Sequence, residues 1–397
     1  MISISINGGI VLDIKIFINL LQDKHFPDYE KMQHKYSADF GAFLQTLQQL
    51  YQKNLPLSDF GGKPMALLET ASAVKMQTVK MLLREQDRVF GMRAAEEEIL
   101  ATCAIENIDF SRDSVRNILK GYAPVDEQEN RILGLKNGLA FIADTSNRIT
   151  EENLHRLYCM TVGDFLDAEN RLLPGCFYRH DTVYVVSDHV NHAGLDSKKV
   201  PQYMNELFAY INTDDDTDDL TKAAVIHFYF AFVHPYFDDN GRMARLLHLW
   251  FLVQKGYRSV LFVPFSNCIE KSRKAYYDAF SLVEKNRRFM GSIDVTPFVL
   301  YFNEFVYNKM TQSCVGDDVM AMFGSALLGG EITQKEKMLW QFVLSFYGTS
   351  PFSTKQLEKD CANAAYATIR AFVIKFEKLG LLTRVSNGTR TKYKVTQ

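Results

Sequence analysis

The chain has 397 residues, and no two of its six cysteines (Cys103, Cys159, Cys176, Cys268, Cys314 and Cys361) lie within ten positions of each other. That spacing excludes a zinc ribbon, a CxxC redox pair and a disulfide framework, and it reads as small apolar positions in a reducing compartment. An excess of one charge is also lacking. Forty-five Lys and Arg against forty-seven Asp and Glu leave a net charge of -2, which argues against binding to nucleic acid or an anionic membrane by bulk charge. No apolar run approaches the roughly 18 residues that a membrane span needs. The N-terminus, MISISINGGIVLDIKIF, has no basic leader and is interrupted by Asp13 and Lys15. It reads as a short strand pair turning at Asn7-Gly8-Gly9 rather than a signal peptide. These absences point to a soluble, cytoplasmic protein with no membrane partner. With aromatics at 13%, disorder is excluded as well.

What is present is mostly helical periodicity. Phe40, Phe43, Leu44, Leu47 and Leu50 keep helix spacing within 37–51, and further helices are predicted over 66–85, 94–105, 111–120, 126–143, 150–160 and 199–211. The β-branched and aromatic run Thr182-Val183-Tyr184-Val185-Val186 is the best strand candidate in the middle of the chain. Five Asp among residues 214–219 read as a solvated loop or a helix start, since calcium binding would need spaced acceptors and a Gly turn. Asp59 to Pro64, with a Gly-Lys pair but no P-loop spacing, reads as a loop. His189 and His192 read as loop histidines, and Trp250 and Trp340 as core. The small run Gly324 to Gly330 reads as a linker. Beyond it, residues 331–397 carry +6 against -8 for residues 1–330. Their order of three helices (335–346, 354–360, 365–379) and two strands (382–385, 391–395) around Ser386-Asn387-Gly388 describes a winged helix-turn-helix.

The chemistry concentrates in His234-Pro235-Tyr236-Phe237-Asp238-Asp239-Asn240-Gly241-Arg242-Met243-Ala244-Arg245. Apolar helices flank it, Pro235 stops the first, and the second starts near Gly241. Arg242 and Arg245 fall in the first turn of that second helix, where the macrodipole is already positive. A bound phosphate would offset that charge, with Asn240 and the Gly241 backbone donating to its oxygens. Asp238 beside such a cradle is suited to Mg²⁺, and His234 can take a proton from an incoming hydroxyl.

This segment resembles the signature of Fic-family proteins, HPFx[D/E]GNGRxxR. The strand at 183–186 resembles that family's target-docking flap, and Ile269 to Tyr277 with Asp294 to Phe298 resembles its C-terminal helix pattern. The resemblance implies a mainly α protein. A helical Fic (Fido) core with a short β-hairpin flap is expected over 107–310, after a mostly helical domain (1–106), with a linker (311–330) and a winged helix-turn-helix (331–397) following. It implies transfer of AMP from ATP to a Ser, Thr or Tyr hydroxyl of a target protein, the chain itself included. His234 would be the general base, Asp238 would hold Mg²⁺, and Asp239, Asn240, Gly241, Arg242, Met243, Ala244 and Arg245 would line the nucleotide phosphates. Tyr277 and Tyr276 would lie beside the adenine, and Thr182, Val183, Tyr184, Val185 and Val186 would align the target.

Two positions depart from the pattern. Tyr236 stands where the family has Phe, so its hydroxyl must find a partner or water. Asp239 stands where the family has a small residue. A carboxylate there repels phosphate unless it points outward or joins the metal. Arg242, where the phosphotransferring branch has Lys, favours AMP transfer. Upstream, Thr102-Cys103-Ala104-Ile105-Glu106-Asn107 resembles the family's inhibitory motif, [S/T]xxxE[G/N]. In that reading Glu106 pairs with Arg245 and displaces the γ-phosphate, while Thr102 orients the Glu or caps its helix. The resemblance further implies a homodimer that controls this helix, and removal of AMP as a reverse reaction. Two other readings stand beside AMP transfer: a winged-helix DNA-binding regulator with a nucleotide-sensing core, and transfer of phosphoryl or another nucleotide. The terminal module would contact DNA or protein. The start of its third helix offers a major groove little beyond Arg370.

Overall fold

A computed structural model describes residues 3–6, 10–69, 92–167, 170–187, 190–263, 265–309, 317–347, 351–361, 364–387 and 390–396. In chain order the elements are β1 (Ser3–Ile6), β2 (Ile10–Asp13), α1 (Ile14–Leu21), α2 (Tyr29–Lys35), α3 (Phe40–Tyr51), β3 (Gln52–Ser58), β4 (Pro64–Leu68), α4 (Met92–Ile105), α5 (Arg112–Leu119), α6 (Glu127–Ala143) and α7 (Glu151–Thr161). They continue with β5 (Tyr184–Ser187), β6 (Val190–Ala193), α8 (Val200–Asn212), α9 (Asp219–Val233), α10 (Asn240–Gln254), α11 (Phe265–Lys271), α12 (Arg273–Met290) and α13 (Thr296–Tyr301). A π-helical turn (Phe302–Tyr307), α14 (Asp317–Leu328), α15 (Gln334–Phe346), α16 (Thr354–Cys361), α17 (Tyr366–Lys378), β7 (Leu382–Asn387) and β8 (Arg390–Val395) complete the chain. The architecture is mainly helical. Strands among the described residues form four antiparallel two-stranded sheets, each a sequential pair.

The chain divides into two units. The first comprises Met1–Gln77, Asp144–Lys255 and Lys271–Tyr307; the second comprises Thr78–Ala143, Gly256–Glu270 and Asn308–Gln397. At the heart of the first unit lie α9 and α10. Both are apolar on nearly every face: α9 buries Leu220 to Phe230 and Val233, and α10 buries Arg242 to Val253. A helix buried all round must be central. The acidic stretch before α9 is more structured than a solvated loop. Asp214 pairs with Lys255 at 2.7 Å, Asp215 with the buried Lys222 at 2.8 Å, and Asp216 with Lys53, while Asp218 caps α9 through the amides of Leu220 and Thr221.

Residues 1–69 belong to this first unit, and a buried carboxylate explains why. Asp294 accepts from the Thr296 amide and hydroxyl and from the Tyr29 hydroxyl. Leu68 N donates to Thr296 Oγ1 at 2.8 Å, and Ala66 pairs in parallel with the chain at Asp294. The segment resembling the family's D-x-T-P step therefore ties β4 to the start of α13. These bonds hold 64–68 extended, where the sequence predicts the beginning of a helix; the rest of that expected helix (70–85) and the turn at 7–9 lie outside the described residues. Phe17, Leu20, Tyr29, Phe40, Phe43 and Leu47 pack with Met290 into one apolar cluster.

In the second unit, α4 is fixed by two buried carboxylates. Glu96 accepts from Arg112 at 2.5 Å and from Arg116 at 2.9 Å, and Glu98 accepts from the Ser266 amide and hydroxyl. Helix α15 packs on α4. Residues 317–328, expected within a linker, form α14, which contributes Val319 and Ala326 to the core around Trp340, Val343, Phe372 and Phe376. Within 331–397, Phe352 bridges Tyr393 by paired amide bonds of 2.8 Å, which adds a short third extended segment beside the β7–β8 hairpin.

Candidate active site

Helix α9 ends at His234 for a local reason. Proline disfavours the α region in the residue before it, and the ring of Pro235 cannot continue the helical ladder. His234 accordingly adopts left-handed geometry (φ 53°), with its amide still donating to Phe230 O at 3.0 Å. The chain turns again at Asp239 (φ 61°), and α10 begins. Between these two turns the Asn240 side chain closes the loop: Oδ1 accepts from Tyr236 N and Nδ2 donates to Tyr236 O, both at 2.9 Å. Asn240 is thus buried and engaged at both ends of its amide, so its first task is to hold the loop, where the sequence assigns it to phosphate. Tyr236 is buried and stacks on Tyr158 with ring centroids 3.7 Å apart.

Arg242 and Arg245 are both buried, Arg242 on the first turn of α10 and Arg245, one turn further on than the sequence suggests, on the second. Arg242 Nη2 lies 2.8 Å from Asp239 Oδ1, so the carboxylate points inward to the arginine. The pair is close but not aligned as a hydrogen bond. Nε and Nη2 of Arg242 are buried with no hydrogen-bond acceptor among the described residues. Such donors at a helix N-terminus suit an anion. Asp238 is exposed, and its Oδ1 accepts from the Asp239 amide at 2.7 Å.

Arg179 was not singled out by any sequence pattern. It is 2% exposed, and its guanidinium donates to three main-chain carbonyls: His234 (2.8 Å), Asp181 (2.7 Å) and Leu195 (2.5 Å). Its own amide donates to Pro235 O at 2.9 Å. One side chain thereby joins the His234 turn to both ends of the β5–β6 hairpin. Gly194 N donates to Val183 O at 2.8 Å, and a Cβ at Gly194 would meet Val183 Cγ2 at 2.8 Å. Only Gly allows that approach. Among the described residues β5 pairs with β6 alone, so its outer edge offers main-chain groups to an added strand.

Residues 148–252, which contain this whole arrangement from α7 to α10, match the Fic/DOC family. The chain carries a Fic domain. Curated relatives include the protein adenylyltransferase Fic of Drosophila ananassae, 25% identical over 217 residues (52% of this chain, 39% of that protein). The protein of the same name from Nematostella vectensis is 24% identical over 294 residues (66% and 64%). The chain spans about two fifths of the length of several of these relatives. Among solved structures, a Fic family protein from Desulfovibrio desulfuricans G20 aligns at a TM-score of 0.47 and 17% identity, covering 82% of this chain and 91% of that one. Fic-1 from C. elegans aligns at a TM-score of 0.44 and 21% identity, covering 63% of this chain and 72% of that one.

This domain holds His234, Asp238, Asp239, Gly241, Arg242 and Arg245 in one turn and helix start, and Arg179 joins that turn to the hairpin segment that begins at Thr182. It does not present every residue expected to touch the nucleotide. Met243 and Ala244 are fully buried, and Met243 Sδ accepts from Thr161 on α7. Helical phase turns both away from the surface, so only their main chain is available. Tyr276 is buried and bonded to His227 Nε2 at 2.9 Å, which makes it a core residue, whereas Tyr277 is 39% exposed beneath Arg273.

In the second unit, Glu106 and Asn107 end α4 in a defined way. Ile108 N donates to Cys103 O and Asn107 N to Ala104 O, both at 3.0 Å, and Asn107 is left-handed (φ 60°). These are the paired bonds of a Schellman cap, whose left-handed position favours Gly or Asn. That geometry accounts for Asn after Glu in the motif. Thr102 is buried in the last turn of α4, too far along to cap its start.

Proposed function

We propose that the chain is a self-inhibited protein adenylyltransferase. The observation that carries this reading is the buried Arg242 at the N-terminus of α10, whose Nε and Nη2 make no hydrogen bond among the described residues, in the loop and helix start that follow a left-handed His234 and an exposed Asp238. These residues fit a nucleotide with its metal. Asp238 would hold Mg²⁺, and Gly241, Arg242 and Arg245 would hold phosphates; the ion supplies charge neutralisation when bound. A hydroxyl oxygen of the target attacks the α-phosphorus of ATP. The new O–P bond forms as the bond to the β-phosphate breaks, pyrophosphate leaves, and His234 takes the hydroxyl proton. Arg179 keeps the His234 turn in register with the flap, whose free edge aligns the target. The relatives named protein adenylyltransferase support this reaction class.

Glu106, at the end of a helix anchored by Glu96 and Glu98, serves in this reading as the inhibitor of Arg245, and the same carboxylate would assist hydrolytic removal of AMP. Residues 331–397 are proposed as a winged helix, on the strength of the Phe352–Tyr393 bridge beside β7 and β8. Its third helix, α17, exposes Ile374 and Tyr366 near Arg370, a face better suited to protein than to DNA. Labelling with α-³²P-ATP tests the core of the proposal. Glu106→Gly is expected to raise incorporation, self-modification included, and His234→Ala to abolish it. A mass gain of roughly 80 instead of roughly 329 would identify phosphoryl transfer instead. Persistent labelling by His234→Ala would remove the base assignment.

A further inference from the structure

The inward turn of Asp239 has a consequence for the phosphate site, one that rests on the reading of that site as a nucleotide pocket. Asp239 adopts a left-handed backbone (φ 61°) that Gly enters freely and other residues enter at a cost. From there Oδ1 reaches Arg242 Nη2 at 2.8 Å. The side chains are 11% and 6% exposed, so solvent screens the contact little. The carboxylate is turned toward the arginine and not outward. The carboxylate lies where a phosphate oxygen would pair with the arginine. Because its contact is not aligned along an N–H, it neutralises Arg242 without satisfying the donors. A tetrahedral anion offers better alignment and can displace it. Behind the pair, Tyr158 stays a neutral hydroxyl: burial first, then the charge of Asp239, push its ionisation up.

We infer that Asp239 is a resident anion of the phosphate site, occupying Arg242 in place of a phosphate oxygen and setting how tightly the pocket binds phosphorylated ligands. It acts on Arg242 within the loop itself, and so is separate from any contact made by Glu106. A ligand must break or share the Asp239–Arg242 pair to enter, which weakens binding for every phosphate probe alike.

Isothermal titration of the full chain with MgATP and with inorganic pyrophosphate, each with and without Mg²⁺, tests this. Asp239→Asn keeps the size and tolerates the left-handed backbone but removes the charge; Asp239→Gly removes both charge and strain. Both variants are expected to bind each probe about tenfold more tightly than the parent, and the gain should vanish when Arg242→Ala is added. Tighter pyrophosphate binding with no MgATP binding by any variant would sink the adenylyltransferase reading and leave this inference standing. MgATP binding of equal strength in parent and Asp239→Asn would overturn the inference and leave that reading intact. Weaker binding by Asp239→Asn only when Mg²⁺ is present would also overturn it, because Asp239 would then be a metal ligand.

Discussion

Replacing Arg179 by Met should loosen the join between the His234 turn and the flap. The substitution keeps the aliphatic volume but removes three donors whose acceptors are the carbonyls of His234, Asp181 and Leu195. Hydrogen bonds to a charged group contribute about 1.5–3 kcal/mol each. Two of these three are only partly buried, so water recovers part of the loss. The low end of the range applies, and the expected destabilisation is about 4–5 kcal/mol, a large share of the 5–15 kcal/mol typical of a folded domain. Arg179→Lys keeps the charge with one reachable carbonyl and should lose about 3 kcal/mol by the same reckoning. Urea unfolding followed by tryptophan fluorescence measures both. In a Trp340→Phe background Trp250 alone reports, and it lies in the first unit, buried and bonded to Asn147 O. On the proposed function, target labelling should fall more than MgATP affinity, because Arg179 holds the His234 turn and the ends of the β5–β6 hairpin. An Arg179→Met midpoint equivalent to a change under about 0.5 kcal/mol would refute the reasoning.

Acid should weaken the first unit through His248. Burial pushes its pKa down to about 3 from 6.5, so the folded state keeps it neutral while the unfolded state gains a proton below 6.5. The stability is intact above that value and lost as pH falls toward 3, a loss of about 2 kcal/mol at pH 5. His248→Gln, able to keep a bond to Tyr307, should flatten this part of the stability profile from pH 7 to pH 5; an unchanged slope would count against a neutral His248. Tyr236→Phe should be stabilising by about 1 kcal/mol, since the Tyr236 hydroxyl is buried with no partner among the described residues. A loss of that size in thermal or urea unfolding would show that the hydroxyl is bonded after all.

Much of this protein could be read in one dimension. Periodicity places α5 to α8 within a few residues of their observed bounds, because each buries an apolar face that repeats at helical spacing, and α9 and α10 are legible as apolar runs on either side of the 234–245 segment. Pro235 stops α9 by local sterics alone, and the order of charges from Asp238 to Arg245 marks a candidate anion site whatever the fold around it. The resemblance to Fic proteins rests on those same local residues. The extended β4 could not be read this way, since its partners are Asp294 and Thr296, more than 220 residues away. Nor could Arg179, whose acceptors are carbonyls and leave no trace in side-chain identity. The acidic run at 214–219 reads as a solvated loop or a helix start. The start is there, with Asp218 capping α9, but the ion pairs cannot be read because their lysines (Lys53, Lys222 and Lys255) lie on other elements.

Asp239 marks the boundary between the two kinds of knowledge. Its identity and its place beside Asp238 follow from the sequence, and so does the conflict with a phosphate. Which way the carboxylate faces is a matter of the folded loop: the left-handed backbone at Asp239, the bonds between Asn240 and Tyr236, the stack of Tyr236 on Tyr158, and the left-handed turn before Pro235. Local residue types fixed which groups are present. Long-range packing decided which way they point, because a side chain's direction is a property of the backbone that carries it.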